Sequence, residues 1–142
     1  MKINNKWLKS KDTIKVMDAL KCRNNQVLFV GGCVRNSLLG LPITDIDIST
    51  NARPDEIISL AKKAGLKSIP TGINHGTITI ISNNKTFEVT SFRKDIKTDG
   101  RHATVAYSDK IEDDAERRDF TINAIYMTRD GIIIDPLNGM KD

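Results

Sequence analysis

Asp45 and Asp47 stand two residues apart in Asp45-Ile46-Asp47-Ile48, a strict alternation of polar and apolar residues. Such alternation predicts a β-strand, and period-two geometry then sends both carboxylates to one side, where they can share a hard cation. Solvated aspartates on an exposed strand produce the same spacing, so the pair takes its meaning from its neighbours. Upstream lies Gly31-Gly32-Cys33-Val34-Arg35. Glycines at the end of a strand, beside a helix N-terminus, expose backbone N–H groups to phosphate. A tight turn for Gly31 and Gly32 and a solvated helix face for Arg35 account equally for those residues taken singly. Glu88 falls in a β-rich run predicted to neighbour the Asp45 strand. Three acidic side chains around one or two Mg²⁺ ions suit phosphoryl transfer, while a cross-strand charge paired with Lys85 or Arg93 is the plainer alternative. The run Glu116-Arg117-Arg118-Asp119-Phe120-Thr121-Ile122-Asn123-Ala124 collects two guanidinium groups, a carboxylate and an amide. Those groups can hold a triphosphate and a ribose hydroxyl, or form a charged helix face with Phe120 and Ile122 turned inward.

The elements that would carry these residues follow from periodicity. Ile14, Met17 and Leu20 recur at helical spacing, predicting an amphipathic helix over residues 13–22 with Ser10 or Asp12 as its cap. Val27-Leu28-Phe29-Val30 reads as a buried strand ended by Gly31-Gly32. A short helix over residues 34–39 closes at Gly40 and Pro42, and the Asp45–Asp47 strand follows. Pro54 opens a helix through Ile57, Ile58, Leu60 and Ala61 that stops at Gly65. Residues 77–81 and 86–91 form strands around the turn cluster Ser82-Asn83-Asn84-Lys85. Residues 92–109 are polar and basic and read as a mobile loop. A charged helix over 111–118, a segment 122–127 that continues it or begins a strand, and a last strand at 132–134 complete the chain.

Composition narrows the class. At 142 residues the chain is sized for one domain, with 39% hydrophobic and 28% charged residues in the ordinary range for a soluble fold. Aromatic residues are only 5%, too few for a surface of base-stacking platforms. Lysine and arginine exceed aspartate and glutamate by 22 to 18, a net charge of +4 that mildly favours a polyanionic partner. Cys22 and Cys33 form no C-x-x-C pair and have no histidine at zinc-ligand spacing, which fits a reducing, cytoplasmic setting. Charges interrupt residues 3–20 throughout, so neither a signal peptide nor a membrane span is expected there. His75, in a glycine-flanked turn, reads as a turn residue, because phosphoryl transfer at such a site needs no imidazole.

The ordered blocks resemble one family over nearly the whole chain. Gly31-Gly32-Cys33-Val34-Arg35, Leu38-Leu39-Gly40, Asp45-Ile46-Asp47-Ile48-Ser49-Thr50, Phe87-Glu88-Val89-Thr90-Ser91-Phe92-Arg93, Asp99-Gly100-Arg101, Arg117 through Ala124, and Asp135-Pro136 occur in that order. They are similar to the N-terminal heads of bacterial tRNA nucleotidyltransferases (CCA-adding enzymes) and their poly(A) polymerase relatives. Cys33-Val34-Arg35-Asn36 and Thr71 through Thr77 look most like alphaproteobacterial members. The resemblance implies an α+β, polymerase-beta-like head spanning residues 1–142, with a mixed or antiparallel sheet of about five strands and helices packed on it.

The resemblance also implies roles. Asp45, Asp47 and Glu88 would be the catalytic carboxylates and would bind two Mg²⁺ ions. Gly31, Gly32 and Arg35 would hold phosphates, and Arg118, Asp119 and Asn123 would contact the sugar and base of the nucleotide. Asp99 and Arg101 would sit in a flexible loop, and Arg117 carries a weaker expectation. Substrates would be CTP and ATP, and the partner the tRNA 3′ end, with no membrane involved. Asn36 stands where many relatives have Asp, removing one carboxylate partner for Arg35. The Glu-Asp-x-x-Arg segment with which relatives choose between CTP and ATP does not occur within these 142 residues, so a neck and body, or a second chain, are expected to supply it. Three functions remain open at this point: CCA addition, poly(A) synthesis, or RNA and nucleotide binding without catalysis by a fragment or half of a split enzyme.

Overall fold

The structure, a computed structural model, describes residues 2–3, 5–21, 25–43, 45–97, 103–118 and 121–139. Helices α1 (Lys11–Leu20) and α3 (Pro54–Lys63) pack together on one face of a seven-stranded mixed sheet. Its strands are β1 (Val27–Val30), β2 (Ile46–Thr50), β3 (Lys67–Gly72), β4 (Thr77–Ser82), β5 (Lys85–Ser91), β8 (Tyr126–Met127) and β9 (Ile133–Ile134), in the order β3-β4-β5-β2-β1-β8-β9. Strands β6 (Arg93–Lys97) and β7 (Ala103–Tyr107) form a separate two-stranded sheet. Helix α2 (Gly32–Leu39) follows β1, and α4 (Ile111–Glu116) precedes a 3-10 turn at Thr121–Ala124. This is the expected α+β class with a mixed sheet in which, among the described residues, only β2 and β5 run parallel.

Side-chain alternation sorts the sheet into two faces. Phe29, Ile48, Ile78, Ile80, Phe87 and Val89 are buried with Val16, Met17 and Leu20 of α1 and Ile57 and Ala61 of α3 in the main core. Their strand neighbours Asp47, Ser49, Thr77, Thr79, Glu88 and Thr90 therefore point to the opposite face. On β1 that opposite face is apolar too: Leu28 and Val30 join Phe92, Ala115, Ala124 and Tyr126 in a second cluster. The sheet centre is thus closed on one side by α1 and α3, and on the other by α4 and the turn after it, which brings residues 117 and 118 over the polar strand face.

Several sequence expectations change. The buried stripe of α1 is Thr13, Val16, Met17 and Leu20, with Ile14 on the exposed side. Ser10 stands at the N-cap as expected, but its side chain makes no capping hydrogen bond, and Asp12 lies inside the first turn. Asp12 instead accepts hydrogen bonds from Ser82 and Asn83 and pairs with Lys85, tying α1 to the β4–β5 turn. The sheet exceeds the expected five or so strands by two: β8 forms at the end of the 122–127 segment, and β3 is an edge strand holding Pro70 and Gly72 whose residues are half-buried or exposed and carry no apolar pattern. The stretch expected to be a loop over 92–109 contains the antiparallel pair β6–β7, with Arg93 opposite Tyr107 and Lys97 opposite Ala103. Its charged sequence hides a ladder made by the backbone. The mobile-loop expectation for Asp99, Gly100, Arg101 and His102 lies outside the described residues.

Candidate active site

A single transverse row of the sheet assembles the site. Tyr126 pairs with Val30, Val30 with Asp47, Asp47 with Glu88, and Glu88 with Thr79. Residues paired in this way share a face, so two carboxylates from strands far apart in sequence become neighbours. Asp45 precedes β2 by one residue and is exposed. A cleft of about 290 Å³ opens over this row, lined among others by Asp47, Ser49, Glu88, Arg93, Arg117 and Arg118. A larger hollow around Lys2, Lys9 and Arg129 and a smaller one around Met17 and Lys21 lie elsewhere, away from every carboxylate of the row.

Electrostatics within the row are strained. The Asp47 carboxyl is held above its ordinary value, first by burial and then by the charge of Glu88, with Asp45 adding to the rise and Arg118 opposing it. Among the described residues no three His, Cys, Asp or Glu side chains are gathered closely enough to hold a metal ion as they stand. In kind, however, the donors fit a divalent cation: every one is a carboxylate oxygen, the ligand type that Mg²⁺ takes, and Asp47 and Glu88 are adjacent in register.

The β1–α2 turn closes one side of the site. Gly31 has φ 77 and ψ −138, a conformation for glycine alone, and a Cβ there would stand 3.6 Å from Asp47 Oδ2. The phosphate-turn candidate thus lies beside the metal-ligand candidate, with room for about one methyl group between them. Arg35 folds back over this turn, its Nη2 3.6 Å from where a Gly32 Cβ would lie. Asn36 accepts from Arg35 Nε at 3.4 Å and donates to the Pro42 carbonyl at 3.0 Å, so the amide that replaces the expected Asp has work of its own.

On the opposite side, α4 delivers a charged knot that sequence reasoning missed. Asp114 is fully buried and accepts from Arg117 Nε at 3.1 Å, Arg118 Nη2 at 3.2 Å and Tyr126 Oη at 2.6 Å. Arg118 also reaches Ser49 Oγ at 3.3 Å, and its guanidinium lies 5.8 Å from the Tyr126 ring centroid. Burial works against the Arg118 charge, yet Asp114 and Tyr126 more than offset it, so its pKa is raised. Burial, and then the Asp114 charge, likewise lift the Tyr126 hydroxyl well above its usual value, so it stays a donor. The spacing of Asp114 to Arg117 and Arg118, i to i+3 and i+4, was the available signal. The buried Nε of Arg118 has no hydrogen-bond partner among the described residues, leaving one N–H of that group uncommitted.

Of the residues expected at the site, the structure brings together Asp47, Glu88, Gly31, Arg118 and Arg117. Arg35 and Asn123 are not among the residues lining the cleft; Asn123 sits on the 3-10 turn, which packs against α2 and α4. Asp99, Arg101 and Asp119 lie outside the described residues. His75 contributes its backbone carbonyl, which accepts from Arg93 Nη1.

Residues 27–142 match the family model described as the poly A polymerase head domain. The chain belongs to the poly A polymerase head-domain family. It is 42% identical over 129 residues to a CCA-adding enzyme of Lactobacillus delbrueckii subsp. bulgaricus, covering 89% of this chain and 32% of that protein. A crystal structure of the Bacillus stearothermophilus CCA-adding enzyme in complex with CTP superposes with a TM-score of 0.79 at 37% identity, over 92% of this chain and 30% of that one. A tRNA nucleotidyltransferase complexed with a primer tRNA and an incoming ATP analog superposes with a TM-score of 0.60 at 26% identity, over 83% of this chain and 33% of that one. The chain spans about a third of the length of the curated relatives it matches. No helix among the described residues is long and apolar enough to cross a membrane.

Proposed function

We propose that this chain is the catalytic head of a tRNA nucleotidyltransferase that adds C and A residues, from CTP and ATP, to the 3′ end of tRNA. The observation that carries the reading is the in-register pair Asp47 and Glu88, with the Gly31 turn on one flank and Arg118 on the other. Its membership of the head-domain family and its likeness to CCA-adding enzymes support it. A tRNA substrate would place the work in the cytoplasm.

Each part of the cleft then has a role. Asp45, Asp47 and Glu88 would hold two Mg²⁺ ions. When bound, these supply Lewis acidity that lowers the pKa of the attacking 3′-hydroxyl and neutralises the departing pyrophosphate. The backbone N–H groups at the start of α2, with Arg35 beside them, would receive phosphate oxygens, since a helix N-terminus favours negative charge. Arg118, its charge fixed by Asp114, would meet the triphosphate from the other side. Asp119 and Asn123 would face the sugar and base, and Asp99 and Arg101 would act from the β6–β7 connection. Choice between CTP and ATP would rest on a neck and body beyond these residues or on a second chain.

The test is to incubate the full-length protein with Mg²⁺, CTP, ATP and a tRNA lacking its terminal CCA. Addition of three residues is the expected result. A long A tail would move the assignment to poly(A) synthesis, and Mg²⁺-dependent nucleotide binding without any addition would make the chain a binding fragment.

A further inference from the structure

Glu88 does not stand alone on its strand face. Thr79, directly across the β4–β5 ladder and only 5% exposed, donates its hydroxyl proton to Glu88 Oε1 at 2.8 Å. The same Thr79 oxygen lies 2.7 Å from Thr71 Oγ1. A hydroxyl has one proton, and that of Thr79 is committed to the carboxylate, so Thr71 must be the donor in the second bond. The relay therefore runs one way, from Thr71 through Thr79 to Glu88. Thr71 sits in the irregular stretch of β3, where the register shifts between Ile69 and Gly72. Alternation from Ile69, which pairs with Thr79, sets Thr71 on the same face as Thr79, one step along the edge strand.

We propose that Thr79 is a positioning residue for the metal site: it pins Glu88 Oε1, and so leaves Oε2 as the single oxygen that Glu88 presents toward Asp47 and a shared cation. The proposal rests on the assignment of Glu88 as a metal ligand. A glutamate has three side-chain torsions, and a free one beside Asp47 would turn away from that like charge. Holding one of its oxygens on the far side, from strand β4, opposes that rotation before any cation arrives. Partners that orient a metal-binding carboxylate from outside the ligand shell affect affinity by about 10- to 100-fold.

The test uses Mn²⁺ as the probe, its binding followed by electron paramagnetic resonance on the full chain without nucleotide, alongside thermal melting. Thr79→Val, nearly isosteric, is expected to weaken Mn²⁺ binding roughly tenfold. Thr79→Ser keeps the hydroxyl and is expected to bind close to the unmodified protein. Thr71→Val, at an exposed position, is expected to give a smaller loss in the same direction and serves where Thr79→Val does not fold. Glu88→Gln is the reference. If Glu88→Gln weakens binding while Thr79→Val and Thr71→Val leave it unchanged, the relay is structural and the proposal is wrong. Unchanged binding in Glu88→Gln, or no Mn²⁺ binding by the unmodified protein, would remove the metal-ligand assignment itself.

Discussion

Asp47 lies directly opposite Glu88 across the parallel β2–β5 ladder, and the charge of Glu88 makes Asp47 harder to ionise. The carboxyl of Asp47 is raised above 3.8 by burial first and by Glu88 and Asp45 after it, with Arg118 pulling the other way. In metal-free protein the folded state therefore retains a proton that the unfolded chain has already released. Stability from this group is fully present below the unfolded value and falls as pH rises through the folded one. Asp47→Asn removes the penalty. In EDTA it is expected to melt above the unmodified protein at pH 7, with the gap closing toward pH 3.5, while nucleotide addition falls by roughly a hundredfold or more. A variant that melts lower at pH 7 would contradict this account of the pair.

Asp114 governs stability and the placement of Arg118 together. Removing one partner of a buried, hydrogen-bonded charge cluster leaves the others unpaired, at a cost of about 3–5 kcal/mol. Asp114→Ala is expected to lose that much in urea unfolding. Arg118→Ala, whose side chain is partly solvated, is expected to be milder on stability yet to weaken triphosphate binding by about tenfold or more, the worth of a charged hydrogen bond. Titration with CTP measures the second effect, and equal CTP affinity in Arg118→Ala would remove Arg118 from the nucleotide site.

What sequence could and could not convey follows from these two clusters. Asp45-Ile46-Asp47-Ile48 and the glycines after Val30 announce themselves because strand alternation and turn chemistry are local signals. Glu88 was placed beside them only through an expected strand order, which the parallel β2–β5 pairing matches. Asp114 is masked for the opposite reason, its i+3 and i+4 spacing to two arginines being the one signal it offers. In a six-residue helix with three consecutive acidic residues, composition reads as a solvated face, whereas two arginines and a tyrosine hydroxyl make burial of that one carboxylate tolerable. Strand β3 and the β6–β7 pair escaped because edge ladders are held by backbone groups and impose little apolar periodicity on their side chains.

Cys33 is expected to be inert although it adjoins the glycine turn. Its Sγ sits 3.4 Å from the Val30 carbonyl and 3.9 Å from that of Asp47, and burial pushes the thiol from 9.0 up to about 11. At pH 8 the thiolate fraction of the folded protein is then roughly a hundredfold below that of an ordinary thiol. In a Cys22→Ser background, a thiol reagent at pH 8 should label the protein only as fast as it unfolds, and at once in urea. Rapid labelling of the folded protein would mean that Cys33 is accessible.

The two glycines of the turn are predicted to separate by substitution, because their constraints differ in kind. Gly31 adopts φ 77, so any side chain there carries backbone strain of about 1–3 kcal/mol, even though its Cβ would meet Asp47 Oδ2 at an ordinary 3.6 Å. Gly32 opens α2 without a positive φ, and its Cβ would meet only the mobile end of Arg35, at 3.6 Å from Nη2. Gly31→Ala should therefore lower stability in urea unfolding by that amount. Gly32→Ala should stay within about 0.5 kcal/mol of the unmodified protein, and, because 3.6 Å is an ordinary contact, should leave the guanidinium in place and CTP binding unchanged. A loss of CTP affinity in Gly32→Ala would mean that the bare backbone at Gly32 is itself needed at the nucleotide site. Destabilisation as large as that of Gly31→Ala would contradict the difference between the two glycines.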